Sequence, residues 1–294
     1  MKDQKRMLMD LMEWGKADAN VRALLMTSSR ANPHAFRDVF TDYDIEVFAE
    51  DLERFLKDDT WLKRFGDRMT TVPLIPRKNE GWITRLVMYM DGTRVDFQIS
   101  TTESLKEIAQ LEELPPHYDL GYKVLLDKDQ IVEDMVTPSN KAFYVKKPTQ
   151  DEFQELVNSY WWDTTYVAKS LWRDELFFAK YMLDNVMRFQ YLQKILEWSL
   201  GVRFNWEVNP NKCGRWFKRY LDSETWQKLE ATYAGADIED NWNALFNMNN
   251  FFMELCRDVA GELGFECPEE VEMNITHYLT KVRELDPEAE EIEI

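Results

Sequence analysis

Phe40-Thr41-Asp42-Tyr43-Asp44-Ile45-Glu46-Val47-Phe48 is the stretch on which the reading of this chain turns. Its side chains alternate with period two, the pattern of a strand with one buried face. Tyr43, Ile45 and Val47 fall on the core side, and Asp42 and Asp44 project together from the other. Two such carboxylates repel each other unless a cation lies between them. Mg²⁺ bound through carboxylates and substrate phosphates is the natural candidate. The plain alternative is an acidic pair on a solvated strand face.

Upstream, the apolar run Val21–Met26 is expected to form a buried strand, followed by the polar stretch Thr27-Ser28-Ser29-Arg30-Ala31-Asn32-Pro33. Backbone N–H groups and small hydroxyls at a turn entering a helix cradle phosphate oxygens. Ser28, Ser29 and Arg30 are therefore candidates for that role, with Arg30 neutralising phosphate charge. An ordinary serine-rich loop with a helix cap is the alternative. Downstream, Trp82–Met90 and Arg94–Ser100 read as strands joined by the hairpin-turn pair Asp91-Gly92. In the second of them Val95, Phe97 and Ile99 share the apolar face, while Asp96 lies opposite with Arg94 and Gln98. If the hairpin sets Asp96 beside the Asp42/Asp44 strand, three carboxylates meet under the phosphate loop. That is the arrangement for metal-assisted phosphoryl or nucleotidyl transfer.

Helical spacing runs through Met7, Leu8, Leu11 and Met12, and again over 51–65 through Leu52, Phe55, Leu56 and Leu62. Lys123–Leu126 adds a further strand. Residues 1–148 thus read as an α+β domain with a small mixed sheet. At Lys147-Pro148-Thr149 the character changes, with a helix start at Thr149. One long helix is expected over 165–200, closed by Gly201, with further helices at 212–221, 223–234, 238–263 and 268–284. Residues 149–284 read as an all-α helical bundle, and 285–294 as an acidic tail.

The 294 residues are 45% hydrophobic and only 10 are Gly and 10 Pro, so collagen-like and low-complexity classes are excluded. Lys and Arg total 36 against 54 Asp and Glu, a net charge of -18. That balance argues against nucleic acid as a partner; it favours cationic ligands or simply keeps the chain soluble. Cys213, Cys256 and Cys267 are too widely spaced for a metal motif or a disulfide framework and suit a reducing compartment. The first 18 residues lack the apolar run of a signal peptide. No window approaches the ~20 apolar residues of a membrane span. A cytoplasmic chain without a membrane partner, a monomer or weak dimer, is expected. His34, in the loop before the acid pair, is within reach of a nucleotide or is an ordinary surface histidine; His117 and His277 show no ligand spacing.

The spacing of Ser28-Ser29, twelve residues at 30–41, Asp42-x-Asp44 and a third Asp on a later strand resembles the nucleotidyltransferase superfamily. The segments FTDYDIEVF (40–48), KVLLDKD (123–129), VTPSNKAFYVKKPT (136–149), YVAKSLWRDELFFAKYMLD (166–184) and KRYL (218–221) resemble the aminoglycoside 6-adenylyltransferases, the streptomycin-modifying enzymes. The likeness runs from about Asp10 to Arg283. It implies a polymerase-beta-like nucleotidyltransferase domain followed by a helical substrate-binding domain. It also implies a reaction, the movement of AMP from ATP to the 6-hydroxyl of streptomycin with Mg²⁺ and release of pyrophosphate. By the same likeness Ser29 contacts the triphosphate, and Asp42, Asp44 and Asp96 hold the metal, Asp96 also accepting the proton of the attacking hydroxyl. Lys169 resembles a helical lysine directed at the triphosphate. Asp163 and Glu175 are candidates for cationic substrate groups, with Trp162 stacking beside them; core tryptophans and a solvated, salt-bridged helix are the alternative.

The family pattern has Gly before the Ser, where this chain has Ser28. Gly permits close backbone approach and positive φ, so Ser28 either crowds the phosphates, changing nucleotide affinity or preference, or adds a hydroxyl contact. Two other functions fit the same residues. One is a nucleotidyltransferase of this fold acting on another small molecule or a protein hydroxyl. The other is a non-catalytic protein that binds nucleotide or drug.

Overall fold

The computed structural model describes residues 4–79 and 81–294. By contact the chain divides into two units, Met1–Phe143 and Tyr144–Ile294. In chain order the first holds α1 (Gln4–Ala17), β1 (Val21–Thr27), the single turn α2 (Ser28–Ala31), β2 (Tyr43–Ala49) and α3 (Glu53–Lys57). After a 3₁₀ turn (Thr60–Phe65) come β3 (Arg68–Val72), β4 (Lys78–Asn79), β5 (Trp82–Tyr89), β6 (Arg94–Thr101), α4 (Thr102–Ala109), α5 (Pro116–Asp119) and β7 (Lys123–Asp127).

The strands form one sheet in the order β3-β5-β6-β2-β1-β7, with β4 on β5. It is mixed. β2 and β6 run parallel, while β1 is antiparallel to both β2 and β7 and β5 to β6. One face is packed throughout: Leu24, Ile45, Val47, Val87, Phe97 and Ile99 meet Met7, Leu11 and Trp14 of α1 and Phe55 and Phe65 beyond β2. Trp14 stacks on Trp61 with ring centroids 5.0 Å apart. The other face is covered only near β1, where Ala23, Leu25 and Phe48 pack against Leu105 of α4 and Tyr118 of α5. The rest of it, on β2, β6 and β5, carries the half-buried polar side chains.

The helical spacing over 51–65 resolves into α3 and the 3₁₀ turn, two short pieces rather than one helix. A buried ion pair accounts for the geometry there. Arg85 lies on the packed face of β5 with no exposure at all. Its Nε donates to Asp59 Oδ1 at 3.0 Å, and its remaining nitrogens reach the same carboxylate and the Pro73 carbonyl. Asp59 sits between α3 and the 3₁₀ turn, so the guanidinium pins the chain where a continuous helix would carry it away. The segment 136–142 is held similarly. Asp119 accepts from the backbone N–H of Ser139, Lys141 and Ala142 and from the Ser139 hydroxyl.

The second unit is all helical. It comprises α6 (Gln150–Trp172), α7 (Leu176–Lys180) running through a π-helical stretch (Tyr181–Leu192) into α8 (Gln193–Arg203), a 3₁₀ turn (Lys212–Gly214), α9 (Phe217–Tyr220), α10 (Ser223–Glu230), α11 (Ile238–Leu263) and α12 (Glu269–Glu284). Thr149 caps α6 in a reciprocal pair with Glu152. The long helix read over 165–200 is instead interrupted. α6 begins fifteen residues earlier and stops at Trp172, and Asp174 turns the chain with φ 57°. The helix read over 212–221 is likewise broken, because Cys213 and Gly214 both take positive φ. Tyr160 centres the core, stacked on Phe252 at 3.6 Å with its hydroxyl donating to Asn249. No helix among the described residues is long and apolar enough to cross a membrane.

Removing one partner of a buried, hydrogen-bonded ion pair strands the other in a low-dielectric site. Asp59→Ala is therefore expected to lower the unfolding free energy by about 3–5 kcal/mol. Urea denaturation monitored by tryptophan fluorescence measures it; a loss below about 1 kcal/mol would show that Arg85 finds another partner.

Candidate active site

The open face of β2 and β6 is set by register. Asp44 pairs with Asp96 across the parallel strands, Glu46 with Gln98 and Phe48 with Ser100. Their neighbours Ile45, Val47, Phe97 and Ile99 are in the packed core, so a slip of one residue would bury the acids and expose the core. On the other side of β2, Thr27 of β1 pairs with Asp44. The Ser28-Ser29 turn therefore starts beside the acid pair. Asp42 lies just ahead of β2. The structure thus brings Asp42, Asp44, Asp96, Ser28 and Ser29 to one end of the sheet.

Asp44 is largely enclosed. Burial, reinforced by the charges of Asp96 and Asp42, pushes its pKa up to about 6, against the pull of the Ser28 hydroxyl and Arg94. Asp96 is gripped by Arg94, whose Nε and one terminal nitrogen lie 3.0 and 2.9 Å from its two oxygens. The other terminal nitrogen is 3.4 Å from Asp42. Among the described residues no three His, Cys, Asp or Glu side chains are gathered into a ready coordination shell.

Ser28 has φ 60°, the left-handed region where glycine is at home. Ser28 thus takes a backbone conformation open to glycine, and its hydroxyl is used on Asp44. The turn is backed by Gly121, where a Cβ would stand 3.0 Å from the Ala31 carbonyl oxygen. Arg30 departs from expectation. It is buried, its Nε and a terminal nitrogen donating to the carbonyls of Asp42 and Thr41, and its guanidinium carbon lies 3.8 Å from the centroid of the Tyr43 ring. It holds the backbone of Asp42 instead of presenting its charge to a phosphate.

A cavity of ≈ 650 Å³ opens beside the acids, lined among others by Ser28, Asp44, Glu46, Trp82, Asp96 and Gln98. A second, of ≈ 720 Å³, lies among α1, α3 and the 3₁₀ turn and holds none of the acids. Glu46 is a site residue that the sequence reading passed over, although its parity with Asp44 was visible. Burial drives its pKa up to about 7 despite hydrogen bonds from the hydroxyls of Tyr118 and Thr27. His117 Nε2 stands 3.7 Å from it, and desolvation lowers the pKa of that imidazole. No local spacing pointed to His117 or Tyr118, which arrive from α5, some seventy residues away in sequence.

A family model described as streptomycin adenylyltransferase matches residues 1–282. This chain belongs to that family. Streptomycin adenylyltransferases are nucleotidyltransferases, and the chain is thereby an enzyme of that class. It is 29% identical to an aminoglycoside 6-adenylyltransferase of Bacillus subtilis over 95% of this chain and 97% of the relative. A second enzyme of that name, from Campylobacter jejuni, is 28% identical over 91% and 92%. A crystal structure of an aminoglycoside 6-adenyltransferase from Bacillus subtilis is matched over 96% of this chain and 99% of that one, at 26% identity and a TM-score of 0.47.

In the second unit of this family member the remaining candidates lie on or near α6. Trp162 is exposed (66%) and shares a helix face with Tyr166 and Lys169. Lys169 Nζ sits 4.6 Å from the Tyr166 ring centroid. Asp163 accepts a 2.7 Å hydrogen bond from the Tyr191 hydroxyl. Glu175 is beyond the end of α6, exposed, and apart from the Trp162–Lys169 face.

Two stability predictions follow from this geometry. A β-branched residue fits the left-handed region worse than serine. Ser28→Val is therefore expected to cost about 2 kcal/mol and Ser28→Gly little or nothing, as read by urea unfolding. Glu46 has a folded pKa above its unfolded value, so burying its charge costs nothing below about pH 4.5 and progressively more as pH rises through about 7. Glu46→Gln should abolish roughly 3 kcal/mol of stability loss between pH 5 and 8; parallel pH profiles for parent and variant would refute the assignment.

Proposed function

We propose that this chain transfers AMP from ATP to the 6-hydroxyl of streptomycin, a cationic aminoglycoside, with Mg²⁺, and releases pyrophosphate. The observation that carries the reading is the Asp44–Asp96 pairing on adjacent parallel strands, with the Ser28-Ser29 turn emerging next to it, in a chain that belongs to the streptomycin adenylyltransferase family.

The donor set suits a hard divalent cation: three carboxylates, no sulfur or imidazole among them, with Asp44 already strained by its acidic neighbours. Asp42, Asp44 and Asp96 would hold the ion. When bound it supplies neutralisation of phosphate charge and lowers the pKa of a coordinated hydroxyl. Ser29 and the turn that carries it bind the triphosphate. Ser28 orients the Asp44 carboxylate through its hydroxyl, and Arg30 keeps Asp42 in place through the backbone. Asp96 takes the proton of the attacking hydroxyl at its carboxylate. Of the second unit's residues, Lys169 is the nucleotide contact of this proposal, and Trp162, Asp163 and Glu175 are its acceptor contacts.

The test is pyrophosphate release from ATP and Mg²⁺ with and without streptomycin. Streptomycin-dependent release is expected, falling on the order of 10³-fold in Asp44→Asn with the thermal melt preserved. Near-normal turnover in that variant would overturn the metal assignment. ATP binding without streptomycin-dependent release would direct the reaction to another acceptor.

A further inference from the structure

Arg94 has an odd placement for an enzyme that must gather three carboxylates around a metal. It stands two residues before Asp96 on β6, so the two side chains share the open face of the sheet. All three guanidinium nitrogens point at the acids. Nε and one terminal nitrogen take the two oxygens of Asp96 in a bidentate fork, and the other terminal nitrogen faces Asp42 at 3.4 Å. The planar, permanently charged fork matches carboxylates in this way where a lysine could not. A positive charge therefore already lies between two of the carboxylates assigned to the metal, and Asp44, the third, takes the Ser28 hydroxyl while feeling the same arginine's charge.

The contrast with the two buried arginines of this unit shows what kind of contact this is. Arg85 and Arg30 are buried, and each is tied to backbone carbonyls as well as to its other partners. Arg94 is 47% exposed in its side chain, Asp42 33% and Asp96 18%. Its side chain bonds to the acids. Half exposed and bonded to no backbone carbonyl among the described residues, the guanidinium can swing into water by releasing the acids. The pairing is strong enough to hold the acids together and exposed enough to be undone.

We propose that Arg94 is an internal counter-ion that holds Asp42 and Asp96 in the metal-free enzyme and must be displaced for a divalent cation to bind. The consequence is a low affinity for the bare ion. The acids are freed most readily when a nucleotide arrives with the metal and offers the released guanidinium a phosphate in exchange. The inference rests on the proposal that these three acids hold the metal. It makes Arg94 a positioning residue that tunes metal entry.

The experiment is titration of nucleotide-free protein with Mn²⁺, free ion being counted by electron paramagnetic resonance, on the parent, Arg94→Gln and Arg94→Lys. Circular dichroism melts establish that each is folded. Arg94→Gln is expected to bind Mn²⁺ at least roughly tenfold more tightly than the parent, because a competing charge has been removed. Arg94→Lys should fall between them, and Arg94→Gln/Asp44→Asn should lose the gain. Arginine in a merely structural role gives the opposite sign, since its loss would loosen the acids. Equal or weaker Mn²⁺ binding in Arg94→Gln overturns the counter-ion role while leaving the metal assignment standing. No Mn²⁺ bound by any of the proteins, alone or with ATP, overturns the metal assignment and the inference with it.

Discussion

The parallel pairing of β2 with β6 is the constraint on which the rest of this structure depends. Hydrogen bonds along two neighbouring strands fix which residues stand side by side, and the pleat fixes which face they point to. Ile45, Val47, Phe97 and Ile99 are driven into the core by their apolar surface, and Asp44 and Asp96 are forced out on the opposite face as a matched pair. The hydrophobic effect thus assembles an electrostatically unfavourable group. Burying four large apolar side chains at roughly 1.5–3 kcal/mol each outweighs the repulsion of two half-buried carboxylates.

The molecule answers that repulsion with cations and hydroxyls of its own. Arg94 faces two of the acids and Ser28 reaches the third. A little further along β2 the enclosed carboxylate of Glu46 accepts from Tyr118. Deeper in the unit, Arg85 and Asp59 neutralise each other across the packed face, and Arg30 is absorbed by carbonyls and the Tyr43 ring. The buried arginines brace the scaffold. Arg94, half exposed, holds contacts that can change without disturbing the core.

Ser28 shows how a site tolerates a residue its backbone does not favour. The left-handed conformation costs of order 1–3 kcal/mol for a non-glycine residue, yet the turn is over-determined. Asn32 N–H donates to the Ser28 carbonyl, Gly121 presses against Ala31, and β1 delivers Thr27 opposite Asp44. The serine gains a hydroxyl contact to the Asp44 carboxylate in return.

Much of this was legible in the chain itself. Alternation over 42–48 and 94–100 put the acids on one face and the core on the other, and Asp91-Gly92 joined two strands as a hairpin. Thr149 after Lys147-Pro148 marked where a helix starts. These signals are local, since period, turn chemistry and caps act over a few residues. Tertiary structure alone decided the rest. It set β6 parallel to β2, so that Asp96 meets Asp44, and it brought Tyr118 and His117 onto Glu46 from α5. It also buried Arg30 and placed Arg94 between Asp42 and Asp96. It broke the helices read at 51–65 and 165–200, where Asp59 is held by Arg85 and Asp174 turns the chain. Residue type and spacing state which charges a face will carry; which charge meets which depends on contacts between segments distant in sequence, and those exist only once the sheet has closed.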